Sequence, residues 1–344
     1  MRPTMQAFRL TQARTVEACR TERPSAGAAD VVVSVKRVGI CGSDIEYFRH
    51  FKCGAFVAKR PFVLGHEFAG TVVECAADTA AVSVGDRVTV DPSMPCLRCD
   101  YCSSGRYNLC RSMRFLGSAS VDPHIDGGMR EFVSVPARNC YRLPDSLQWG
   151  EAAMLEPLSI ALHACSRAGS VVGKRALISG GGTIGLLVLL ALRALGAAEV
   201  VVSDPIAERR SLAASLGAGA TIDPNASDDA QTQHAEYQLI FEASGAPPAV
   251  KSAIERVARG GTVVCIGTVL QEVPLAVNLI MVRELNVLGS FRTLYQFGPG
   301  LQLLADRRID VRPLVTHVFP VAEVNEAFRA TESGEAIKVQ LVFN

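Results

Sequence analysis

The chain has almost no net charge. Across 344 residues, 35 lysines and arginines face 34 aspartates and glutamates, a formal +1 at pH 7. That removes the electrostatic footprint expected of a nucleic-acid or anionic-membrane binder. Long apolar runs are also missing. The longest, IGLLVLLALRALG, is interrupted by Arg193 and is too short to span a bilayer. The opening residues, MRPTMQAFRLTQARTV, lack the apolar core of a secretory signal, so a cytoplasmic location is the expectation. There is no internal repeat and no low-complexity tract. Cysteine, by contrast, is plentiful: eleven residues, an odd number, which suits thiols or metal ligands better than a disulfide framework.

The length exceeds what one compact core usually organises, and two textures divide the chain. The first part holds short β-like runs (DVVVSVKRVGI, FAGTVVECA, DRVTVDP, EFVSVPA) separated by Gly and Pro, which predicts a mostly antiparallel region with loops. From about 170 to 290, short apolar strands (RALISG, EVVVSD, YQLIFEAS, GTVVCIG, NVLGSFR) alternate with helical segments (TIGLLVLLALRALG, PIAERRSLAASLG, PPAVKSAIERVARG). That alternation predicts α/β structure with a parallel, doubly wound sheet. The expected domains are 1–157 and 158–292, with 293–344 returning to the first. The polar stretch 223–237, DPNASDDAQTQHAEY, reads as a surface loop or short helix.

Four cysteines, Cys96, Cys99, Cys102 and Cys110, crowd into fifteen residues as C-x2-C-x2-C-x7-C. Two-residue gaps let a turn aim successive sulfurs at one point, and the longer gap brings the chain round to close the site. Four thiolates at roughly 2.3 Å satisfy tetrahedral zinc and leave nothing open, so such a site is structural. An iron–sulfur cluster or a disulfide pair is the alternative.

A second set is dispersed. Cys41 follows an apolar strand in GICGSD, and His66 and Glu67 follow another in LGHEFAG. A thiolate, an imidazole and a carboxylate could share one zinc with a position left open, the catalytic pattern; a capping or surface His–Glu pair is the plainer reading. Gly39, Gly42 and Gly65 allow close backbone approach at both places. In MLEPLSIALHA, Glu156 stands among apolar residues, where an ionised carboxylate is costly unless paired or bound to metal. A helix dipole acting on a first-turn glutamate is the other explanation.

In ALISGGGTIGLL, Gly180, Gly182 and Gly185 form G-x-G-x-x-G between a strand and a long apolar helix that opens at Thr183 and Ile184. In that context the motif is a dinucleotide fingerprint, with the pyrophosphate on the helix N-terminus. Asp204 ends the next strand, nineteen residues beyond Gly185. A carboxylate there binds ribose hydroxyls and repels a 2′-phosphate, which favours NAD over NADP; Arg209 nearby could soften the preference.

In combination, GICGSD, LGHEFAG, VGDRV, the four-cysteine stretch, LEPLS, the glycine turn and the KVQLV ending resemble the zinc-containing medium-chain alcohol dehydrogenase family over essentially the whole chain. LEPLS resembles its polyol branch. The stretches MRFLGSASVDPHIDGGMREF, GSFR and KVQLVF look most like branch members acting on the sugar acid L-idonate. The resemblance implies a GroES-like, mostly β catalytic domain at 1–157, rejoined by 293–344, and a Rossmann NAD-binding domain at 158–292. It implies a catalytic zinc on Cys41, His66 and Glu67, with Glu156 bound directly or through water, and a structural zinc on the other four cysteines. By the same likeness Ser43 hydrogen-bonds the reacting oxygen, while Tyr47 and Arg292 line the polyol site. Glu46 departs from the pattern, since many relatives have histidine there to pass a proton outward.

The implied reaction is oxidation of the 5-hydroxyl of L-idonate to 5-keto-D-gluconate, reversibly, with hydride transfer to NAD, or NADP. Arg292 and Arg114 are candidates to meet the substrate carboxylate. A neutral polyol such as sorbitol, xylitol or galactitol, or L-threonine, is the alternative substrate. A non-catalytic NAD(H)-sensing module is the alternative outside enzymes. The resemblance also implies a homodimer or homotetramer, joined through edge strands such as GTVVCIG and NVLGSF. The remaining cysteines, Cys19, Cys53, Cys75, Cys140, Cys165 and Cys265, have no ligand spacing and read as small buried side chains.

Overall fold

The five apolar runs of residues 170–290 become parallel strands of one sheet, and Ala220–Ile222, which the sequence reading did not include, adds a sixth. In spatial order they are Ala220–Ile222, Glu199–Ser203, Arg175–Ser179, Tyr237–Glu242, Val257–Cys265 and Asn286–Gly289. All but the first residue of Arg175–Ser179 are buried, as a strand covered on both faces requires. The chain reverses its direction of winding at Arg175–Ser179, which pairs with Glu199–Ser203 on one side and Tyr237–Glu242 on the other. That topological switch point is where doubly wound sheets bind ligands. The helix Thr183–Ala194 follows immediately, and its residues Gly185 to Leu192 are all buried, as an uninterrupted apolar stretch of helix demands.

The computed structural model describes residues 3–76, 82–226 and 236–343. Of the polar stretch 223–237, residues 227–235 lie outside the described residues. One boundary differs from the sequence reading. The helix Pro247–Arg256 stops before VARG, which joins the strand Val257–Cys265 instead. Val257 pairs with Tyr237 across the sheet, and its β-branched side chain is fully buried there. Among the described residues, no helix is long and apolar enough to cross a membrane.

The chain separates into two compact units: Met1–Glu156 with Phe297–Arg307 and Val311–Asn344, and Pro157–Gln296 with Arg308–Asp310. The first is mostly β. Its largest sheet runs Cys140–Arg142, Arg87–Val90, Glu67–Cys75, Asp30–Gly39, Lys338–Val342 and Val315–Pro320, with Phe132–Pro136 paired to the N-terminal half of Asp30–Gly39. Asp30–Gly39 is the hub, flanked by Glu67–Cys75 and by the C-terminal strand Lys338–Val342. Valines and phenylalanines of these strands make the core, including Val31, Val33, Val35 and Phe68, joined by Phe328 from the helix Val324–Ala330.

Candidate active site

Register assembles the first ligand set. In the antiparallel pair of Asp30–Gly39 and Glu67–Cys75, Gly39 lies opposite Glu67. Cys41, two residues beyond Gly39, therefore arrives beside His66 and Glu67. The ligand atoms of these three residues all lie within 4.8 Å of one another. Gly39 is required: a Cβ there would sit 2.1 Å from Glu67 Oε2. His66 and Glu67 are 5% and 1% exposed, and His66 Nδ1 is buried without a hydrogen-bond partner. Sulfur, nitrogen and oxygen donors converging on one point, with a ring nitrogen left unused, suit a borderline-soft divalent ion such as zinc.

A buried carboxylate ties the two ligand segments together. Asp44 Oδ2 accepts the Cys41 N–H at 3.0 Å, Oδ1 accepts the Gly65 N–H at 3.2 Å, and Oδ1 stands 3.7 Å from His66 Nδ1. The sequence does hold a signal for it, since an acidic residue three places after a helix N-cap reaches back to the cap's N–H. Lys338 lies close by as well. Its Nζ is 2.8 Å from both oxygens of Glu67 and donates to the Ile40 carbonyl at 3.0 Å. Nothing in the KVQLV segment points to that role.

The charges explain the titration of the cluster. Burial, then the Glu67 carboxylate, pushes the Cys41 thiol up to about 12. Burial also raises Asp44. Glu156 is driven well above the usual carboxylate range by burial and then by Glu67 and Cys41, against the opposing pull of His66. Glu156 therefore feels the cluster, although the three converging ligand atoms belong to Cys41, His66 and Glu67. Burial pulls Lys338 down, but Glu67 and Cys41 outweigh it and its ammonium titrates above its ordinary value. A divalent cation would favour the charged forms of these acids and of the thiol.

The remaining residues expected at the site take several positions. Ser43 and Glu46 are half-buried on the helix Gly42–His50, and the Ser43 N–H donates to the Cys41 sulfur. Tyr47 is 2% exposed. Its ring meets Phe62 edge-on at 5.3 Å, and its hydroxyl accepts the Ala119 N–H at 3.1 Å. The two-residue strand Arg114–Phe115 pairs with Ser93–Met94. Successive side chains on a strand alternate, so Arg114 is exposed while the Phe115 ring lies 5.3 Å from the His66 ring. Phe115 was not singled out from sequence. Arg292 belongs to the second unit, has φ +57° and places its guanidinium over the Phe291 ring.

The second ligand set is the four-cysteine lobe. The sulfurs of Cys96, Cys99, Cys102 and Cys110 also lie within 4.8 Å of one another, and those of Cys99 and Cys102 are 3.6 Å apart. Tetrahedral zinc–thiolate bonds place sulfurs about 3.8 Å apart, so this spacing fits one ion. A multi-iron cluster would spread them over separate metal atoms. Backbone N–H groups of Cys102 and Arg111 lower the Cys99 thiol to about 6, which favours the thiolate that metals bind.

In the second unit the glycine turn has the geometry its motif requires. Gly180 has φ +103° and a Cβ there would press on Ser244 N at 2.9 Å; one at Gly185 would overlap the Gly180 carbonyl at 1.8 Å. A Cβ at Gly182 would meet nothing within 4 Å, leaving the helix start open to an incoming phosphate. Asp204, 3% exposed, accepts the Gly181 N–H at 2.7 Å and the Ile206 N–H at 2.8 Å, one on each oxygen. Each oxygen keeps a lone pair for a further donor. Arg209 Nη1 stands 3.9 Å from Asp204.

Known proteins match both halves. Residues 27–145 match the family model of the alcohol dehydrogenase GroES-like domain, and 183–306 that of zinc-binding dehydrogenases. Sorbitol dehydrogenase of Gallus gallus is 37% identical over 325 residues, 92% of this chain and 90% of its own length. L-idonate 5-dehydrogenase of Vitis vinifera is 37% identical over 328 residues, 92% and 88%. Among solved structures, L-idonate 5-dehydrogenase of Escherichia coli aligns with a TM-score of 0.93 at 34% identity, covering 100% of this chain and 99% of that one. An E. coli alcohol dehydrogenase complexed with NADH aligns with a TM-score of 0.91 at 28% identity, covering 99% of each chain. A putative zinc-binding dehydrogenase of Sinorhizobium meliloti bound to NADP gives 0.92 at 32%, covering 99% and 100%.

Proposed function

The chain belongs to the zinc-dependent alcohol and polyol dehydrogenase family, and from that premise we propose that it oxidises a secondary hydroxyl of a sugar acid, L-idonate to 5-keto-D-gluconate, reversibly and with NAD as hydride acceptor. The observation that carries the reading is the buried convergence of Cys41, His66 and Glu67 within 4.8 Å. These three hold the catalytic zinc, with Glu156 beside them, and Cys96, Cys99, Cys102 and Cys110 hold a structural one. When bound, the catalytic zinc supplies Lewis acidity that draws a hydroxyl pKa toward neutrality, and the nicotinamide takes the hydride.

The protein's own groups do the rest. Asp44 fixes the His66 and Cys41 segments. Ser43, on the first turn of its helix, holds the substrate hydroxyl and passes its proton outward. Gly180, Gly182, Thr183, Ile184 and Gly185 cradle the pyrophosphate, and Asp204 takes the ribose hydroxyls with Arg209 alongside. Arg292 receives the substrate carboxylate, for which a guanidinium fork is matched. Tyr47 shapes the substrate side through the Ala119 backbone it anchors.

The L-idonate 5-dehydrogenases of grapevine and E. coli support the sugar-acid reading. Sorbitol dehydrogenase, at the same identity as the grapevine protein, supports a second one, a neutral-polyol dehydrogenase. A homodimer or homotetramer is part of the proposal. Asn286–Gly289 is the last strand of its sheet, and the adjoining helix Val277–Val282 exposes Val277, Met281 and Val282 at 68%, 66% and 56%, surface that a second copy would cover.

The test is NAD and NADP reduction with L-idonate, D-gluconate, sorbitol and xylitol, alongside metal analysis. L-Idonate should give the highest kcat/KM, by about tenfold or more. Preference for sorbitol would establish the second reading. Turnover undiminished in Cys41→Ser would defeat both.

A further inference from the structure

The reaction proposed above leaves one buried cation without a task. Lys338 opens the strand Lys338–Val342 and is 3% exposed. Its ammonium spends its donors on three acceptors: both oxygens of Glu67 at 2.8 Å and the Ile40 carbonyl at 3.0 Å. Ile40 immediately precedes Cys41, so one amino group grips the carboxylate of one ligand and the backbone leading into another. A positive charge here opposes a metal cation electrostatically, and it occupies the same carboxylate the ion would use. Both facts weigh against a role in plain metal attraction. They fit a shared carboxylate, held by an ammonium in one state and by an ion in the other.

We propose that Lys338 is a positioning residue that competes with the metal for Glu67, making Glu67 a detachable ligand of the site formed with Cys41 and His66. The proposal rests on the reading of those three residues as metal ligands. Without metal, Lys338 compensates the buried Glu67 charge and keeps the two ligand segments in place. With metal, Glu67 has an alternative partner waiting, so its departure exposes no uncompensated charge. Linkage then fixes the sign of the effect. Removing Lys338 raises the free energy of the metal-free protein, which is left with a lone buried carboxylate, more than that of the loaded protein, where the ion takes over the charge. Metal affinity therefore rises, and so does the stabilisation that metal confers. A residue that only braced the fold would lower affinity or leave it alone.

The test compares the full chain as wild type, Lys338→Met, Lys338→Gln and Lys338→Arg. Zinc affinity is read by competition with a chromophoric chelator, and Tm is taken with and without metal. Cys41→Ser, measured in parallel, gives the contribution of the four-cysteine lobe. Both neutral variants should bind zinc about tenfold tighter or more than wild type and show a larger metal-dependent rise in Tm. Lys338→Arg should stay near wild type, and the tightening should vanish in a Glu67→Gln background. Should Lys338→Met not fold, Lys338→Gln carries the same expectation, because its amide still donates to Glu67 or Ile40. Unchanged or weaker binding in the neutral variants overturns the proposal, as does tightening that survives Glu67→Gln. A wild type that loads the lobe but takes no zinc at Cys41 and His66 overturns the ligand reading and this proposal with it. Normal loading with flat variants overturns this proposal alone.

Discussion

Gly39 faces Glu67 across two antiparallel strands, and the Glu67 carboxylate occupies the space a Gly39 side chain would fill, with Oε2 2.1 Å from an ideal Cβ. The clash involves a buried carboxylate already held at both oxygens by Lys338, so it cannot be relieved by swinging into solvent. Gly39→Ala is expected to displace Glu67 and lower both catalytic-site zinc content and kcat/KM, the latter by about 100-fold, a loss typical of ångström-scale misplacement. The lobe zinc should remain. Metal analysis beside steady-state kinetics checks this; full zinc occupancy with full activity would show that Glu67 position is immaterial.

The four-cysteine lobe makes a separate expectation. None of Cys96, Cys99 and Cys102 is buried, and the surrounding helix Asp100–Ser103 has only four residues, so hydrophobic burial does little to hold this loop. In the proposed function a shared zinc supplies much of its order, beside the Arg111–Asp100 pair. Cys102→Ser should release one zinc per chain, lower Tm by several degrees, as a loss of 1–2 kcal/mol or more does at about this chain size, and open residues 96–110 to proteolysis. Zinc stoichiometry and limited digestion read the outcome. A variant that keeps its zinc count and resists protease would remove the stapling role.

What could be read from sequence was what lies close together along the chain. Cys96 to Cys110 span fifteen residues, and Gly180 to Gly185 six; in each the spacing itself encodes geometry. Cys41 and the His66–Glu67 pair were legible because each follows an apolar strand and is flanked by glycine. The pairing of Lys338 with Glu67 was not, because the two are 271 residues apart and meet only through the strand order of the sheet. Phe115 depended on the pairing of a two-residue strand with Ser93–Met94, too short to show a period. The ending of the helix Pro247–Arg256 was misplaced for a similar reason: VARG joins the strand because Val257 is buried beside Tyr237, a tertiary contact that overrides helical continuity.

In the proposed function Asp204 couples the cofactor turn to nucleotide choice. Its oxygens hold the Gly181 and Ile206 N–H groups, and in the proposed function they also face the ribose. Asp204→Ala should raise KM for NAD about tenfold and narrow the NAD-to-NADP ratio of kcat/KM by about as much, since both a ribose acceptor and a charge repelling a 2′-phosphate are lost. Kinetics with both cofactors separate the two roles. A raised KM with an unchanged ratio would confine Asp204 to holding the turn.

Asp91 gives a pH dependence whose sign can be worked out. The residue is 7% exposed. Burial lifts its carboxyl from 3.8 to about 6, against the backbone N–H and hydroxyl of Ser93, which favour the charged form. Between about pH 4 and pH 6 the folded protein therefore keeps a proton that the unfolded chain has lost. Stability falls as pH rises through that window, by about 3 kcal/mol in all from this group. Asp91→Asn preserves an oxygen acceptor for the Ser93 N–H, which Asp91 Oδ1 accepts at 2.8 Å, and leaves the Asn139 bonds to the Asp91 and Ser93 carbonyls untouched. It should thus match wild type near pH 4 and exceed it by about 1–3 kcal/mol at pH 7.5. Urea unfolding of both proteins, metal-loaded, at several pH values between 4 and 8 tests this through the difference curve, in which the other carboxylates cancel. A difference that stays flat across the window would mean that the Asp91 carboxyl ionises in the folded protein as it does in the unfolded chain.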